Sequence, residues 1–103
     1  MPKYIFAYHG GTAPESPEEQ QQVMAAWMSW IGSHGDSFVD PGAPVGDSRT
    51  VTAGGVEDHG GPSPLSGYGF VTADTIEAAI EIAKGCPILE DGGTVEVASV
   101  HEM

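Results

Sequence analysis

The apolar and polar positions of the first third of the chain predict one strand followed by one helix. Residues 3–9, KYIFAYH, form a short β-favouring run. Ser16 is a preferred N-cap residue, Pro17 suits the first helical turn, and Glu19 stands where a capping box needs it. We therefore predict a helix from about Pro17 to about Ser33. Its apolar stripe is predicted to consist of Val23, Met24, Trp27, Trp30 and Ile31.

Residues 66–100 repeat this pattern and add a final strand. The aromatic and branched run at residues 68–71 favours β-structure, and Asp74 is the predicted N-cap of the helix that follows. Glu77 would complete its capping box. The apolar face of this second helix is predicted to consist of Ile76, Ala79, Ile80 and Ala83.

Prolines and glycines interrupt the middle of the chain. Residues 37–46, SFVDPGAPVG, fit an edge strand with a bulge better than a central strand. Residues 48–53, SRTVTA, are predicted to return as a short hairpin arm, and the glycine- and proline-rich residues 54–64 are predicted to form a mobile loop. The order of the main elements is βαββαβ. It predicts an α+β fold with an antiparallel sheet and two helices on one face.

Length and composition predict one small domain over residues 1–103 that pairs with a second copy. Fifteen glycines and eight prolines leave little material for a core. A sheet with helices on one face only leaves its other face in need of cover. A homodimer is therefore expected.

The charge of the chain excludes two classes of partner. Fifteen acidic residues stand against only Lys3, Arg49 and Lys84, which gives a formal net charge of −12. Nucleic-acid binding needs a basic patch that three cations do not make, and an anionic membrane surface is disfavoured for the same reason. The single cysteine, Cys86, allows no intrachain disulfide, and no apolar run is long enough for a signal peptide or a membrane span. We predict a cytoplasmic protein.

No cofactor or metal is predicted from the motifs. The four histidines, His9, His34, His59 and His101, lie in separate elements, so their spacing matches no metal-ligand motif. The glycine pairs are spaced as turns and form no G-x-G-x-x-G loop. The G-x-S-x-G motif of serine hydrolases does not occur either.

Five segments together carry a resemblance to a known family. They are KYIFAYHGG, EEQQQVMAAWMSW, VDPGAPVG, LSGYGFVTADTIEAAIEIAKGCP and GGTVEVASVHEM. In these segments the chain resembles the YCII-related family, also called the DGPF-domain family. The resemblance implies a ferredoxin-like fold that dimerises through its sheets into a dimeric α/β barrel. It also implies that some similar proteins are enzymes that process small aromatic or lactone molecules, while others are fused to transcription regulators.

The chain departs from the family pattern at two places. The DGPF tetrapeptide is replaced by residues 58–62, DHGGP. The first-helix histidine proposed as catalytic in some similar proteins would fall near residues 25–27, where this chain has Ala, Ala and Trp and hence none.

Chain direction places several polar residues at one end of the predicted sheet. His9 ends the first strand and Ser66 opens the third main strand, so we predict that these two are catalytic and that His9 moves a proton. Tyr8 and Tyr68 are predicted to stack on a flat ligand, and His59 is predicted to approach it from the loop above. In the alternative interpretation, His9 simply ends a strand and Ser66 bonds to backbone in a turn.

Trp27 also has two interpretations. Together with Trp30 it fits a core stripe. If the first helix and the sheet leave a cleft, Trp27 would instead line a site for an aromatic ligand beside Met24 and Met28.

Two function classes follow. The first is a cofactor-independent lyase or isomerase that acts on a small aromatic or lactone-like molecule. The second is a non-catalytic dimeric module that binds a small molecule or a partner. An enzyme is expected to enclose a pocket with His9 pointing inward, whereas a module is expected to leave His9 in solvent.

Overall fold

The structure is a computed structural model that describes residues 1–11, 14–61 and 63–101. Its elements follow one another as β1 (Lys3–His9), α1 (Pro17–Ser33), β2 (Phe38–Pro44), β3 (Thr50–Thr52), β4 (Gly55–Glu57), β5 (Leu65–Thr72), α2 (Ile76–Ala83), a 3₁₀ helix (Pro87–Asp91) and β6 (Thr94–Ser99). No helix in these ranges is long and apolar enough to cross a membrane.

Four strands form one antiparallel sheet in the order β2-β5-β1-β6. This arrangement confirms the predicted α+β fold with an antiparallel sheet and two helices, and it is compatible with a ferredoxin-like fold. One prediction was wrong: residues 54–64 are not all loop. β4 pairs with β3 in a separate two-stranded hairpin, because the predicted arm at residues 48–53 needs a partner strand and finds it directly after the turn.

The helix α1 begins and ends at the predicted residues. The Ser16 hydroxyl accepts a hydrogen bond from the Glu19 amide at 3.2 Å, and the Glu19 carboxylate accepts one from the Glu15 amide at 3.0 Å. The first bond satisfies a free amide in the first turn of the helix, as predicted, whereas the second reaches the residue before the N-cap and not the Ser16 amide that a full capping box would use. Trp30 is the buried residue of α1, whereas Met24 stays largely exposed.

The N-cap of α2 differs from the predicted one. The Thr75 hydroxyl accepts from the Ala78 amide at 3.1 Å, and Thr75 has the extended backbone of a cap. Asp74 lies one residue too early for this position, so the predicted capping box with Glu77 was wrong. Only half of the predicted apolar face is buried: Ala79 and Ala83 are, while Ile76 and Ile80 are each 39% exposed.

The sheet buries one face against the helices. Tyr4, Phe6 and Tyr8 of β1 are buried, and the residues that alternate with them are partly exposed. The buried set forms one core with Val71, Trp30 and the alanines of α2. The other face of the sheet, called the open face below, carries no element of this chain in the described ranges.

The strand β2 is an edge strand with irregular pairing. Its register against β5 shifts on both sides of Asp40, and the Asp40 carboxylate accepts a hydrogen bond from the Gly42 amide at 2.8 Å. Pro41 and Pro44 lack the amide hydrogen that a central strand would need. The predicted edge strand with a bulge is therefore confirmed.

Candidate functional site

A groove of about 460 Å³ lies between α1 and the edge strand β2. Residues 41–44 of β2 form one wall, residues 66–68 of β5 form part of the base, and Tyr8 contributes from β1. The wall from α1 consists of Gln20, Val23, Met24, Trp27, Met28 and Ile31. The residues from α1 recur at helical spacing and so form one face of the helix. The facing wall is the part of β2 where the pairing with β5 is irregular.

Tyr8 is seated in the groove by two glycines of β5. A Cβ atom on Gly67 would lie 3.3 Å from the Tyr8 ring, and one on Gly69 would lie 3.3 Å from the Tyr8 hydroxyl. The ring of Trp27 meets the ring of Tyr8 edge-on, with centroids 4.9 Å apart. The missing side chains at Gly67 and Gly69 therefore leave the space that the Tyr8 side chain fills.

The hydroxyl of Tyr8 is buried and has no hydrogen-bond partner among the described residues. Burial raises the pKa of Tyr8 far above its usual range, and the nearby Cys86 raises it further. The group is therefore a neutral phenol that can donate a hydrogen bond at any physiological pH.

The groove carries no charged side chain, although the chain has a net charge of −12. Its surface is mainly apolar, with aromatic, aliphatic, thioether and proline side chains. Methionine side chains are unbranched and polarizable, so they adapt to ligands of different shapes. The composition favours a flat, uncharged, largely apolar molecule.

His9 lies on the open face, away from this groove. Its Nδ1 is 3.0 Å from the carbonyl oxygen of Ser63, and its Nε2 is 3.1 Å from Oε1 of Glu96. The Ser63 carbonyl and the Glu96 carboxylate both only accept, so a neutral His9 ring donates to one of them and a doubly protonated ring donates to both. Both ring nitrogens of His9 thus face an oxygen of the protein, and its side chain is neither in solvent nor among the residues that line the groove.

Ser66 and Tyr68 lie near His9 but have different surroundings. β1 and β5 shift register between Tyr8 and His9, and the Ser66 hydroxyl donates to the Gly10 carbonyl at 2.6 Å. The Tyr68 ring packs edge-on to Phe70 on the open face, with centroids 6.1 Å apart. The predicted site residues thus divide between two places: the rings of Tyr8 and Trp27 in the groove, and His9 with the Tyr68 ring on the open face.

His59 lies at the base of the β3–β4 hairpin. Its Nδ1 accepts a hydrogen bond from the Gly61 amide at 3.0 Å, and its Nε2 is 3.8 Å from Glu57. The Thr50 hydroxyl also donates to the His59 carbonyl at 2.8 Å. His59 does not line the groove, because the hairpin directs this part of the chain elsewhere.

Sequence reasoning missed three participants, which are Glu96, Gly67 and Gly69. The alternation of side chains along β6 was the signal for Glu96. Val95 and Val97 face the core, so Glu96 between them faces the opposite side of the sheet, which is the side of His9. The G-Y-G run at residues 67–69 signalled a strand with no side chains on one face, where a large residue of a neighbouring strand can lie.

The described residues contain no cluster suited to a metal ion, and their one cysteine is not a reactive thiol. No group of three or more His, Cys, Asp or Glu side chains there is arranged to hold a metal ion. Cys86 is buried, and this burial raises the pKa of its thiol to about 11 against the opposing effect of a backbone hydrogen bond at Ile88. Cys86 is thus a neutral thiol near pH 7 and a poor nucleophile.

No protein-family model matches the chain, and no curated protein matches it.

Proposed function

We propose that this chain is a small-molecule-binding protein of the YCII-related, dimeric α/β barrel type, and that its ligand is a flat, largely apolar molecule held between α1 and β2. The observation that carries the proposal is the uncharged groove of about 460 Å³ beside Tyr8 and Trp27. Ligand sites in proteins commonly measure about 300–1,000 Å³ and are lined mainly by apolar and aromatic side chains.

The two exposed methionines support this proposal. Met24 is 55% exposed and Met28 is 69% exposed, and both line the groove one helical turn apart. Covering them with an apolar ligand would remove apolar surface from water, which stabilises the complex by about 25 cal/mol per Å². Trp27 would add aromatic contact in the same place.

Binding is tested with a neutral aromatic probe, 2-acetylnaphthalene, and the methyl NMR signals of the methionines. We expect the signals of Met24 and Met28 to shift during the titration while the signal of Met1, which is 82% exposed, stays in place. The variant Met24→Glu puts a charge into the groove and is expected to weaken binding about 10-fold or more, because the charge must be desolvated. Equal binding by wild type and Met24→Glu would contradict the proposal.

The matched control for that experiment is Gln21→Glu. It adds the same charge to the same helix at an exposed residue that does not line the groove. We expect Gln21→Glu to bind the probe within about 2-fold of wild type, since an exposed charge outside the site is screened by solvent and salt. A shared loss in both variants would instead indicate a general charge effect.

The open face supports the dimeric part of the proposal. Its side chains are apolar at the centre of the sheet and remain only half-buried in one copy. They are Ile5, Ala7, Tyr68, Phe70 and Ala98. A second copy of the chain would cover them sheet against sheet.

The dimer is tested by light scattering on the eluting protein. We expect twice the chain mass of 10.7 kDa for wild type and the monomer mass for Phe70→Glu, because the substitution would bury a charge between the sheets. Leu89→Glu, in the 3₁₀ helix away from the open face, serves as the control and should stay dimeric. A monomeric wild type would refute the dimer and leave the groove proposal standing.

The His9–Glu96 pair favours a second candidate function, a cofactor-independent lyase or isomerase. A histidine oriented by the Ser63 carbonyl and paired with a carboxylate is an arrangement suited to proton transfer. Its substrate would bind on the open face, away from the groove. Binding of 2-acetylnaphthalene in the groove therefore needs no contribution from His9, and His9→Gln separates the two functions.

A further inference from the structure

The Tyr8 hydroxyl is a buried polar atom beside the groove, whose lining also includes the polar residues Gln20 and Ser66. In the part of the chain that the structure describes, it is the one buried side-chain nitrogen or oxygen without a hydrogen-bond partner. Tyr8 is only 4% exposed and lines the groove. Burying a hydroxyl without a hydrogen-bond partner costs free energy, because the group loses its bonds to water. A ligand atom that accepts a hydrogen bond from it would recover part of that cost on binding.

The surroundings of Tyr8 exclude an anionic ligand. Each of the three cations has another contact: Lys3 lies over the Phe70 ring on the open face, Arg49 donates to the Ser48 carbonyl, and Lys84 pairs with Glu81. None of them lines the groove. A carboxylate or phosphate there would lose its hydration without a counter-charge, inside a chain that already carries −12.

A phenol donates a hydrogen bond more strongly than it accepts one, and the complementary ligand group is therefore an acceptor. The raised pKa of Tyr8 is consistent with this role, since the proton stays on the oxygen. Because the hydroxyl is closed off from solvent, a ligand would have to displace a side chain of the groove wall to reach it. The exposed, unbranched Met24 and Met28 suit that movement.

We infer that the ligand of this groove is an uncharged, flat molecule with a carbonyl group, such as an aryl ketone, aldehyde or ester, and that the Tyr8 hydroxyl donates to its carbonyl oxygen. This inference rests on the proposed function, because it names the chemistry of the molecule held between α1 and β2. It assigns Tyr8 a specificity role as a hydrogen-bond donor in addition to its stacking surface.

The test compares three probes of matched shape on wild type and Tyr8→Phe. 2-Acetylnaphthalene carries the carbonyl, 2-ethylnaphthalene has nearly the same outline without it, and 2-naphthoate carries a charge. We expect wild type to bind the acetyl probe about 3- to 10-fold more tightly than the ethyl probe and to bind naphthoate most weakly. In Tyr8→Phe, the acetyl and ethyl probes should bind equally.

The stability of Tyr8→Phe is measured on the same samples. Because its hydroxyl has no partner to lose, the variant is expected to melt at or above the wild-type temperature. A markedly lower melting temperature would show that the hydroxyl bonds to the protein itself and would overturn the inference.

The remaining outcomes separate the inference from the proposed function. If neither neutral probe shifts the Met24 and Met28 signals, the groove is not a ligand site and the proposed function fails. If both neutral probes bind wild type equally, or if naphthoate binds most tightly, the proposed function stands and the carbonyl inference is overturned. The comparison of probes on wild type alone decides this point even if a variant folds poorly.

Discussion

Replacing Trp30 with alanine is expected to lower the free energy of unfolding by about 3–5 kcal/mol, the usual cost of removing a large buried aromatic side chain. Domains of this size commonly unfold with about 5–15 kcal/mol, so the variant would be largely unfolded on warming. Urea denaturation followed by circular dichroism measures the change without depending on the tryptophan that has been removed.

The size of this effect follows from the position of Trp30 in the core. Its ring is stacked on Phe6 with centroids 6.2 Å apart and meets Phe38 and Trp27 edge-on at 5.2 and 5.7 Å. Its indole nitrogen donates to the Ile82 carbonyl at 2.9 Å, which ties α1 to α2. Alanine would leave a cavity between the two helices and would remove the indole hydrogen bond to the Ile82 carbonyl, which would keep only its bond from the Gly85 amide at 3.3 Å.

Met28→Ala is the control for that measurement. Met28 is on the same helix and is mostly exposed, so its loss should change the free energy of unfolding by less than about 0.5 kcal/mol. If Trp30→Ala and Met28→Ala had similar effects, the core around Phe6 would not be as the structure places it.

Replacing Gly42 with alanine is expected to cost at least about 2 kcal/mol, because both the backbone and the space around it exclude a side chain. Gly42 has a φ of +72°, and a Cβ there would overlap the Tyr68 carbonyl of the neighbouring strand. The edge strand β2 would have to separate from β5 at this point. Hydrogen exchange should detect the separation as faster exchange of the Val45 amide, which donates to Ser66 in wild type at 2.9 Å.

Gly32→Ala is the matched control for Gly42→Ala. Gly32 lies in α1, and a Cβ there would meet nothing within 4 Å. The same substitution should therefore stabilise the protein by about 0.5–1 kcal/mol, since alanine loses less conformational entropy in a helix. Because β2 forms one wall of the groove, Gly42→Ala should also weaken probe binding, whereas Gly32→Ala should not. Unchanged stability in Gly42→Ala would contradict the described course of β2.

Much of the fold was predictable because the relevant signals are local. The N-terminus of α1 is specified by Ser16, Pro17 and Glu19, which act within one turn. The prolines of β2 similarly indicate an edge position without any knowledge of the neighbouring strand. Asp74 and Thr75 can both cap a helix, and residue type favours Asp74. The structure uses Thr75, so the helix begins one residue later than predicted.

The candidate site was less predictable, because it depends on which face of the sheet each residue occupies. His9 and Tyr8 are adjacent in sequence and were assigned to one site, but adjacent strand residues point to opposite faces. The sequence allows Trp27 to be either a core residue or part of a ligand site. In the structure, its partly buried side chain packs against the core and also lines the groove. The groove lies in the space between α1 and β2. The distance between these two elements depends on tertiary packing, so no local sequence pattern predicts it.

The two glycines beneath Tyr8 also bear on how the strands find their alignment during folding. In the observed pairing, Tyr8 stands opposite Gly67 and Phe6 opposite Gly69, so these two rings face residues without side chains, whereas Tyr4 stands opposite Val71. A slip of two residues would keep every side chain on its proper face, which alternation alone does not prevent. One such slip would press Phe6 against Val71, and the mismatch in volume would oppose it. The glycines of β5 thus favour one alignment of the sheet on packing grounds.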